Sequence, residues 1–299
     1  MNVVRSFREV RGLAAGTVGL VPTMGYLHEG HIALIEAAEQ RCGTVVVSVF
    51  VNPLQFDSAR DLETYPTDLQ RDSELAVHAG ADILFVPDAS DMYPTRQHTT
   101  VTVAGIGDAM EGLYRPGHFD GVATVVAKLF SGIQPDAAFF GRKDAQQLAV
   151  VTAMAAELSM PVEVVGLPTV REHDGMALGS RNTRLSLSAR SEARILSQAL
   201  FAAGELFAAG ERDATVLTST VRDIVGSVPA VSLDYVEVAH AATAEIIGNI
   251  TGLAFLALAA RVEDVRLIDN IFLDGATGNV DTGVKLQDTS ILYGGGRCC

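Results

Sequence analysis

The run Val21-Pro22-Thr23-Met24-Gly25-Tyr26-Leu27-His28-Glu29-Gly30-His31 sets two imidazoles on either side of a glycine, where an apolar β-branched stretch gives way to a helical pattern. A helix amino terminus presents unpaired N–H groups and the positive end of the helix dipole, so the ligand it suits is a phosphate. His28 and His31 add hydrogen-bond donors for phosphate oxygens, and Gly30 would let a polyphosphate or an adenine ring come close to the backbone. Zinc fits poorly. The second histidine falls at +3, not at the +4 of H-E-x-x-H, and no other Cys or His pair completes a ligand set, so no protein-held metal is expected. A Walker A loop and a G-x-G-x-x-G fingerprint are both absent, which removes the main support for hydride transfer.

Three further polar clusters are expected on the same rim. Val49 to Phe56 (V-F-V-N-P-L-Q-F) and Phe139 to Gln147 (F-F-G-R-K-D-A-Q-Q) each follow an apolar run, and Arg171 to Asn182 (R-E-H-D-G-M-A-L-G-S-R-N) opens the second half. A fourth, Arg115 to Val122 (R-P-G-H-F-D-G-V), enters a helical stretch.

The elements that must carry these clusters follow a βαβ rhythm in the first half. Uninterrupted apolar runs predict parallel strands buried on both faces at Thr17 to Val21, Thr44 to Phe50, Ile83 to Val86, Ala137 to Phe140 and Val162 to Val165. Helices are predicted over Gly30 to Gln40, Asp68 to Ala79, Phe119 to Gly132 and Asp144 to Leu158. Right-handed crossovers then make an open, doubly wound α/β sheet, with ligands beyond the carboxyl ends of its strands.

After Thr169 the pattern becomes that of an α+β unit with an antiparallel sheet. Helices are predicted over Ser188 to Ala209 and Asp213 to Val228, and strands over Ser232 to Ala239, Leu253 to Val262 and Val265 to Leu273. The expected domains are residues 1–169 and a smaller 170–299, with the boundary near 168–175. The tail from about residue 288, including Gly294 to Gly296, Cys298 and Cys299, is expected to fray.

Composition narrows the function classes. Of 299 residues, 48% are hydrophobic and 19% charged, and Gly and Pro together number 38, a globular composition. Thirty-six acidic against 22 basic residues give a formal charge of −14, with no Lys/Arg run, so no nucleic-acid partner is expected. Neither half is a basic platform: 11 basic and 20 acidic residues precede Thr169, and 11 and 16 follow. An anionic ligand must therefore be held by a few local groups. Three badly spaced cysteines, no secretory h-region and no apolar stretch of membrane-spanning length point to a reducing cytoplasm and no membrane partner.

In order, the blocks Pro22 to His31, Val51 to Phe56, Arg115 to Val122, Phe140 to Leu148 and Thr169 to Asn182 resemble those of the pantoate–β-alanine ligase family. That family belongs to the H-x-G-H nucleotidyltransferase superfamily, related to class I aminoacyl-tRNA synthetases. The likeness is nearly full length, although the part beyond Asn182 adds little. It implies a Rossmann-like doubly wound parallel sheet with a smaller, lid- or dimer-associated α+β domain. The implied activity joins (R)-pantoate to β-alanine: ATP and pantoate give pantoyl adenylate and pyrophosphate, and the amine then displaces AMP. ATP is a substrate, Mg²⁺ accompanies it, and a homodimer is expected.

The same resemblance implies ATP contacts at Thr23, Met24, Gly25, Tyr26, Leu27, His28, Glu29, Gly30 and His31. It adds Gly141, Arg142, Lys143 and Asp144 beside the nucleotide, Val170 near the adenine, and a mobile phosphate loop of Leu178, Gly179, Ser180 and Arg181. His28, His31, Lys143 and Arg181 are the implied catalytic set. Gln55, Gln147 and Asn52 are the implied pantoate and β-alanine contacts; neutral amides can position a carboxylate without an ion pair that would blunt its nucleophilicity. The chain departs from the family pattern at Arg142 and Ala145, where Glu and Tyr are usual, and at Leu178 and Gly179, where Met and Ser are usual. Gly179 removes a hydroxyl donor, and Arg142 is expected to add positive charge beside the nucleotide. Two other readings compete: a nucleotidyltransferase acting on a phosphorylated acceptor, and a nucleotide-binding protein with little catalysis.

Overall fold

A computed structural model describes residues 1–95 and 97–293. Six strands, β1 (Asn2–Val4), β2 (Val18–Thr23), β3 (Thr44–Val49), β4 (Ile83–Phe85), β5 (Ala137–Gly141) and β6 (Glu163–Leu167), form one sheet in the order β1-β4-β3-β2-β5-β6. Every pairing is parallel. The helices of this stretch are α1 (Phe7–Leu13), α2 (Glu29–Glu39), α3 (Ala59–Glu63), α4 (Leu69–His78), α5 (Ala89–Met92), α6 (Glu111–Tyr114), α7 (His118–Ile133) and α8 (Ala145–Glu157). The predicted Rossmann-like sheet is the one observed. Its core includes Leu20, Val21, Val46, Val47, Leu84 and Phe139, all essentially inaccessible.

The chain divides into two compact units. One comprises Met1–Gly107, Arg115–Gly141 and Val150–Leu167 and holds the whole sheet; the other comprises Asp108–Tyr114, Arg142–Ala149 and the chain from Pro168 on. Within the sheet, β2 starts in the centre; the chain steps outward through β3 and β4, then returns to β5 on β2's other side. That reversal is the topological switch point at which open α/β sheets bind ligands. Here β2 and β5 pair only at Gly19–Ala137 and Leu20–Ala138, so their carboxyl-terminal halves diverge. The H-E-G-H segment leaves one arm of this fork, and Gly141 ends the other.

The amino terminus holds structure beyond the predicted elements. β1 pairs with β4 at the sheet edge. Helix α1 begins in a capping box between Ser6 and Glu9, a pattern visible in the S-x-x-E spacing.

In the second unit, β8 (Val231–His240), β9 (Leu253–Val262), β10 (Val265–Asp274) and β11 (Val280–Asp281) form an antiparallel sheet in the order β11-β10-β9-β8. A two-stranded parallel ribbon joins β7 (Val170–Arg171) to β12 (Val284–Lys285). Helices α9 (Leu187–Ala193), α10 (Ile195–Ala208) and α11 (Ala214–Gly226) complete it, and Leu200, Phe207, Leu217, Val221, Leu256 and Ile271 lie in its apolar core. The single helix predicted over Ser188 to Ala209 is broken at Arg194. There the Arg194 Nε donates to the Ser191 carbonyl at 3.0 Å, the acceptor that a continuous helix would give to the Ile195 N–H. In the stretch expected to fray, Leu292 is buried and the Tyr293 hydroxyl donates to Glu172 at 3.0 Å. Gly294 to Cys299 lie outside the described residues. Among the described residues, no helix is long and apolar enough to cross a membrane.

Candidate active site

The β2–α2 connection is shaped by its own backbone. Gly25 (φ 84°) and Tyr26 (φ 52°) are both left-handed, so the chain turns sharply before α2. This turn points the N–H groups of Tyr26 and Leu27 at one carboxylate, that of Asp72 on α4, at 2.8 and 2.6 Å. Asp72 is buried, and burial pushes its carboxyl above the usual range, although the two N–H donors and Arg71 pull it back down. Arg71 donates to the Leu27 carbonyl at 2.8 Å, with its guanidinium 5.0 Å from the centre of the Tyr26 ring. Thr23 is structural on the same side: its hydroxyl donates to the Ser48 carbonyl and accepts the Gly25 N–H. The Leu27 side chain is wholly buried.

The histidines cap α2 reciprocally. His28 Nδ1 accepts the Gly30 N–H at 3.2 Å, and His31 Nδ1 accepts the His28 N–H at 3.3 Å. With Nδ1 accepting, each neutral ring carries its proton on Nε2, the state required of a donor to phosphate. The ring centres lie 4.1 Å apart. A side chain at position 30 would begin 2.9 Å from His28 Cε1, so the space beside Gly30 is filled by the histidine that caps it.

Asn52, Gln55 and Met24 come together in the same unit. Asn52 caps the 3₁₀ turn Pro53–Gln55, and its amide nitrogen donates to Gln55 Oε1 and to the Gly121 carbonyl, both at 3.1 Å. Its oxygen accepts the Tyr93 hydroxyl, a phenol that burial pushes up to about 12. Asn52 thus orients Gln55, whose own amide reaches Met24 Sδ at 3.1 Å. The R-P-G-H-F-D-G-V block holds the turn from behind: His118 Nδ1 donates to the Gln55 carbonyl at 2.8 Å and Arg115 donates to it at 3.1 Å. A Cβ on Gly121 would lie 2.3 Å from the Leu54 carbonyl oxygen, so only glycine permits this approach.

The remaining predicted residues, apart from Gly141, belong to the second unit. Lys143 lies in the 3₁₀ turn Arg142–Asp144, and Gln147 in the first turn of α8. Lys143 Nζ is 3.7 Å from Asp144 Oδ1, and a side chain at Gly179 would begin 3.4 Å from the lysine's Cε. The charge expected of Arg142 is largely spent: it pairs with Asp281 at 2.8 Å, its guanidinium 5.2 Å from the centre of the Phe272 ring.

Val170 and Leu178 meet through a 3.0 Å backbone bond. Leu178 and Ser180 are buried, and Ser180–Arg184 forms a 3₁₀ turn, so the expected phosphate loop is folded in this structure. Asn182 ties it to the Ala177 carbonyl and to Glu172. Glu172 and Asp174 share Arg190, at 2.7 and 3.0 Å. Burial pushes the Asp174 carboxyl up, but the Arg190 guanidinium and the Met176 N–H outweigh it and hold that group below the usual range.

The residues that hold these groups lie outside the predicted set. Asp72 was detectable as a charge on the apolar stripe that carries Leu75 and Ala76. Asp269 and Asn270 were detectable as a polar pair inside the apolar strand Val265 to Leu273, where neither type is favoured. Both are buried, and Asp269 takes the wholly buried Arg171 in two bonds of 2.7 and 2.9 Å. Gln146 carried no signal beyond its neighbour; its amide accepts the Glu111 N–H at 3.0 Å and donates to the Ala109 carbonyl at 2.8 Å.

Comparison with known proteins places the chain in a family. The chain is 49% identical over 274 residues to a pantothenate synthetase of Pelotomaculum thermopropionicum, covering 91% of this chain and 97% of that one. It is 46% identical over 280 residues to that of Heliobacterium modesticaldum, covering 92% and 100%. Its fold matches the crystal structure of the pantothenate synthetase from Thermus thermophilus with a TM-score of 0.87 at 46% identity, over 90% of this chain and 98% of that one. A pantoate-beta-alanine ligase from Francisella tularensis, solved with beta-gamma ATP and beta-alanine, matches with a TM-score of 0.74 at 30% identity, over 90% and 97%. Residues 1–272 match the sequence profile of pantoate-beta-alanine ligase, and the chain belongs to that family.

Proposed function

We propose that this chain joins pantoate to β-alanine at the expense of ATP, releasing AMP and pyrophosphate. The reading is carried by the reciprocally capped His28 and His31 at the fork of β2 and β5, in a chain of this family. In the first step a pantoate carboxylate oxygen bonds to the α-phosphorus, and the bond from that phosphorus to the bridging oxygen of pyrophosphate breaks. In the second, the deprotonated amine of β-alanine bonds to the acyl carbon and AMP departs with the electron pair.

Charge develops at the phosphoryl oxygens in the first step, so donors pre-aimed at that position lower its barrier. His28 and His31 supply Nε2 protons, the α2 amino terminus adds its dipole, and Met24 to His31 line the nucleotide. Lys143 and Arg181 supply point charge, with Gly141 to Asp144, Val170 and Leu178 to Ser180 as the other nucleotide contacts. Gln55 and Gln147 hold pantoate, and Asn52 serves by orienting Gln55. Mg²⁺ accompanies ATP as its counterion. Mg²⁺ usually keeps several waters and is held through substrate phosphates, and the triphosphate is its proposed holder here. The working form is a homodimer, and the compartment is the reducing cytoplasm in which unpaired cysteines persist.

The test is an assay of AMP and pyrophosphate. Sustained AMP release should require pantoate and β-alanine together, with only slow adenylate formation when the amine is omitted. AMP release that ignores both acids would overturn the reading.

A further inference from the structure

Three side chains of β10, Arg266, Asn270 and Phe272, reach the segments 108–114 and 142–149 of the same unit. Arg266 grips Glu111 with two bonds of 2.7 Å, Phe272 lies beneath the Arg142 guanidinium, and Asn270 lies between them in sequence. The Asn270 amide nitrogen donates to two consecutive carbonyls, that of Lys143 at 2.7 Å and that of Arg142 at 3.1 Å. Its own backbone is held at both groups: the N–H donates to Asp269 Oδ1 at 2.7 Å and the carbonyl accepts from Arg171 Nη2 at 2.8 Å.

The residue type is specific to this task. A primary amide puts two N–H groups on one nitrogen, matching two adjacent carbonyls; serine has one donor and aspartate, when ionised, has none. The rotated amide would turn its oxygen on both carbonyls, so the network fixes the orientation. Asn270 is 3% exposed, and its Oδ1 accepts no hydrogen bond among the described residues. A buried acceptor left unpaired costs stability. Asparagine is also disfavoured within a strand, so this side chain is poorly explained by the stability of β10 alone.

We propose that Asn270 is a positioning residue for Lys143, fixing the backbone from which the lysine's four-carbon stem reaches the phosphates. The assignment rests on the reading of Lys143 as a phosphate-contacting cation. A flexible point charge is effective only when its base is fixed, and displacement of a reacting group by about 1 Å can cost roughly a hundredfold in rate.

The experiment is a double-mutant cycle on pantoate-dependent pyrophosphate release, with Asn270→Ala, Lys143→Ala and the double variant, each checked by thermal melting. Lys143→Ala should slow adenylation by roughly 10²- to 10³-fold, the scale of one lost oxyanion donor. Asn270→Ala should slow it roughly 10- to 100-fold, with KM for ATP and pantoate changed by less than about threefold. In the double variant the Asn270 change should cost nothing further, because the group it positions is gone. Full additivity, or an unchanged kcat in a folded Asn270→Ala protein, overturns the positioning role. A loss below threefold for Lys143→Ala instead overturns the reading of the lysine itself, so the two failures are distinct. If Asn270→Ala does not fold, Asn270→Ser, which keeps one donor, takes its place in the cycle. It should fall between wild type and Lys143→Ala, and additivity with Lys143→Ala again sinks the proposal.

Discussion

The two loops that carry most of the predicted site residues are held by different physics. Between β2 and α2, backbone N–H groups converge on Asp72 and the histidines cap each other, so the shape is made by the loop and a single helix, α4. The segment Arg171 to Asn182 is held by ionic side chains instead: Arg171 to Asp269, and Arg190 to Glu172 and Asp174. Backbone N–H groups gathered on one carboxylate hold the histidine loop through fixed dipoles rather than through paired charges. An ionic lattice is strong only while every member is present, because each charge is buried at the expense of its hydration.

The sharpest way to break this contrast is at Arg171, which is wholly buried. Arg171→Met leaves the buried Asp269 without its partner and removes donors from the carbonyls of Gly175, Asn270 and Thr282. Loss of one member of a buried pair costs about 3–5 kcal/mol. Chemical denaturation should show that loss in the unit carrying the antiparallel sheet. Adding Asp269→Leu should restore only part of it, since the carbonyls stay unpaired. Full recovery would mean that the ion pair alone, and not the network, holds this segment.

The sheet unit should respond to shape where the other responds to charge. Gly121→Ala introduces a carbon 2.3 Å from the Leu54 carbonyl oxygen, a backbone atom that cannot swing aside. Overpacking of this kind costs about 1–3 kcal/mol. The displaced turn carries Gln55, so KM for pantoate should rise roughly tenfold, equivalent to about 1.4 kcal/mol, while ATP affinity stays within about threefold. Steady-state kinetics with each substrate varied in turn gives the answer. An equal rise in both KM values would show that the turn is not a pantoate element.

The same contrast explains what could be read in advance. The H-E-G-H segment was legible because its chemistry, its strand and its helix are contiguous, and parallel strands buried on both faces show as continuous apolar runs. The supports of the second loop were not. Arg171 and Asp269 are separated by 98 residues, and Glu172 and Tyr293 by 121, and no local periodicity connects them. Asp269 and Asn270 stood out as polar residues in an apolar strand, but a single sequence gives no partner for an anomaly of that kind. The break at Arg194 was equally hidden, because it depends on where one guanidinium folds back.

The smallest expected effect separates the two loops by sign. In the first, burial raises the Asp72 carboxyl above its ordinary value near 3.8. Between that value and the raised one the folded state binds more protons than the unfolded, so stability falls as pH rises through this window. In the second, Asp174 is pushed up by burial but pulled further down by Arg190 and the Met176 N–H, and its carboxyl lies below 3.8. Its contribution is fully present above 3.8 and is lost as pH falls through the depressed value. Melting temperatures of wild type and of Asp72→Asn, taken from pH 3 upward, should therefore converge or cross as pH increases, with wild type relatively best at the acid end. For Asp174→Asn the difference should run the other way, with wild type losing its advantage below about pH 4. Two slopes of the same sign would mean that Asp72 is stabilised by its two N–H donors more than it is penalised by burial. The histidine loop would then be held by charge as the other loop is, and the contrast between fixed backbone dipoles and ionic lattice would fail.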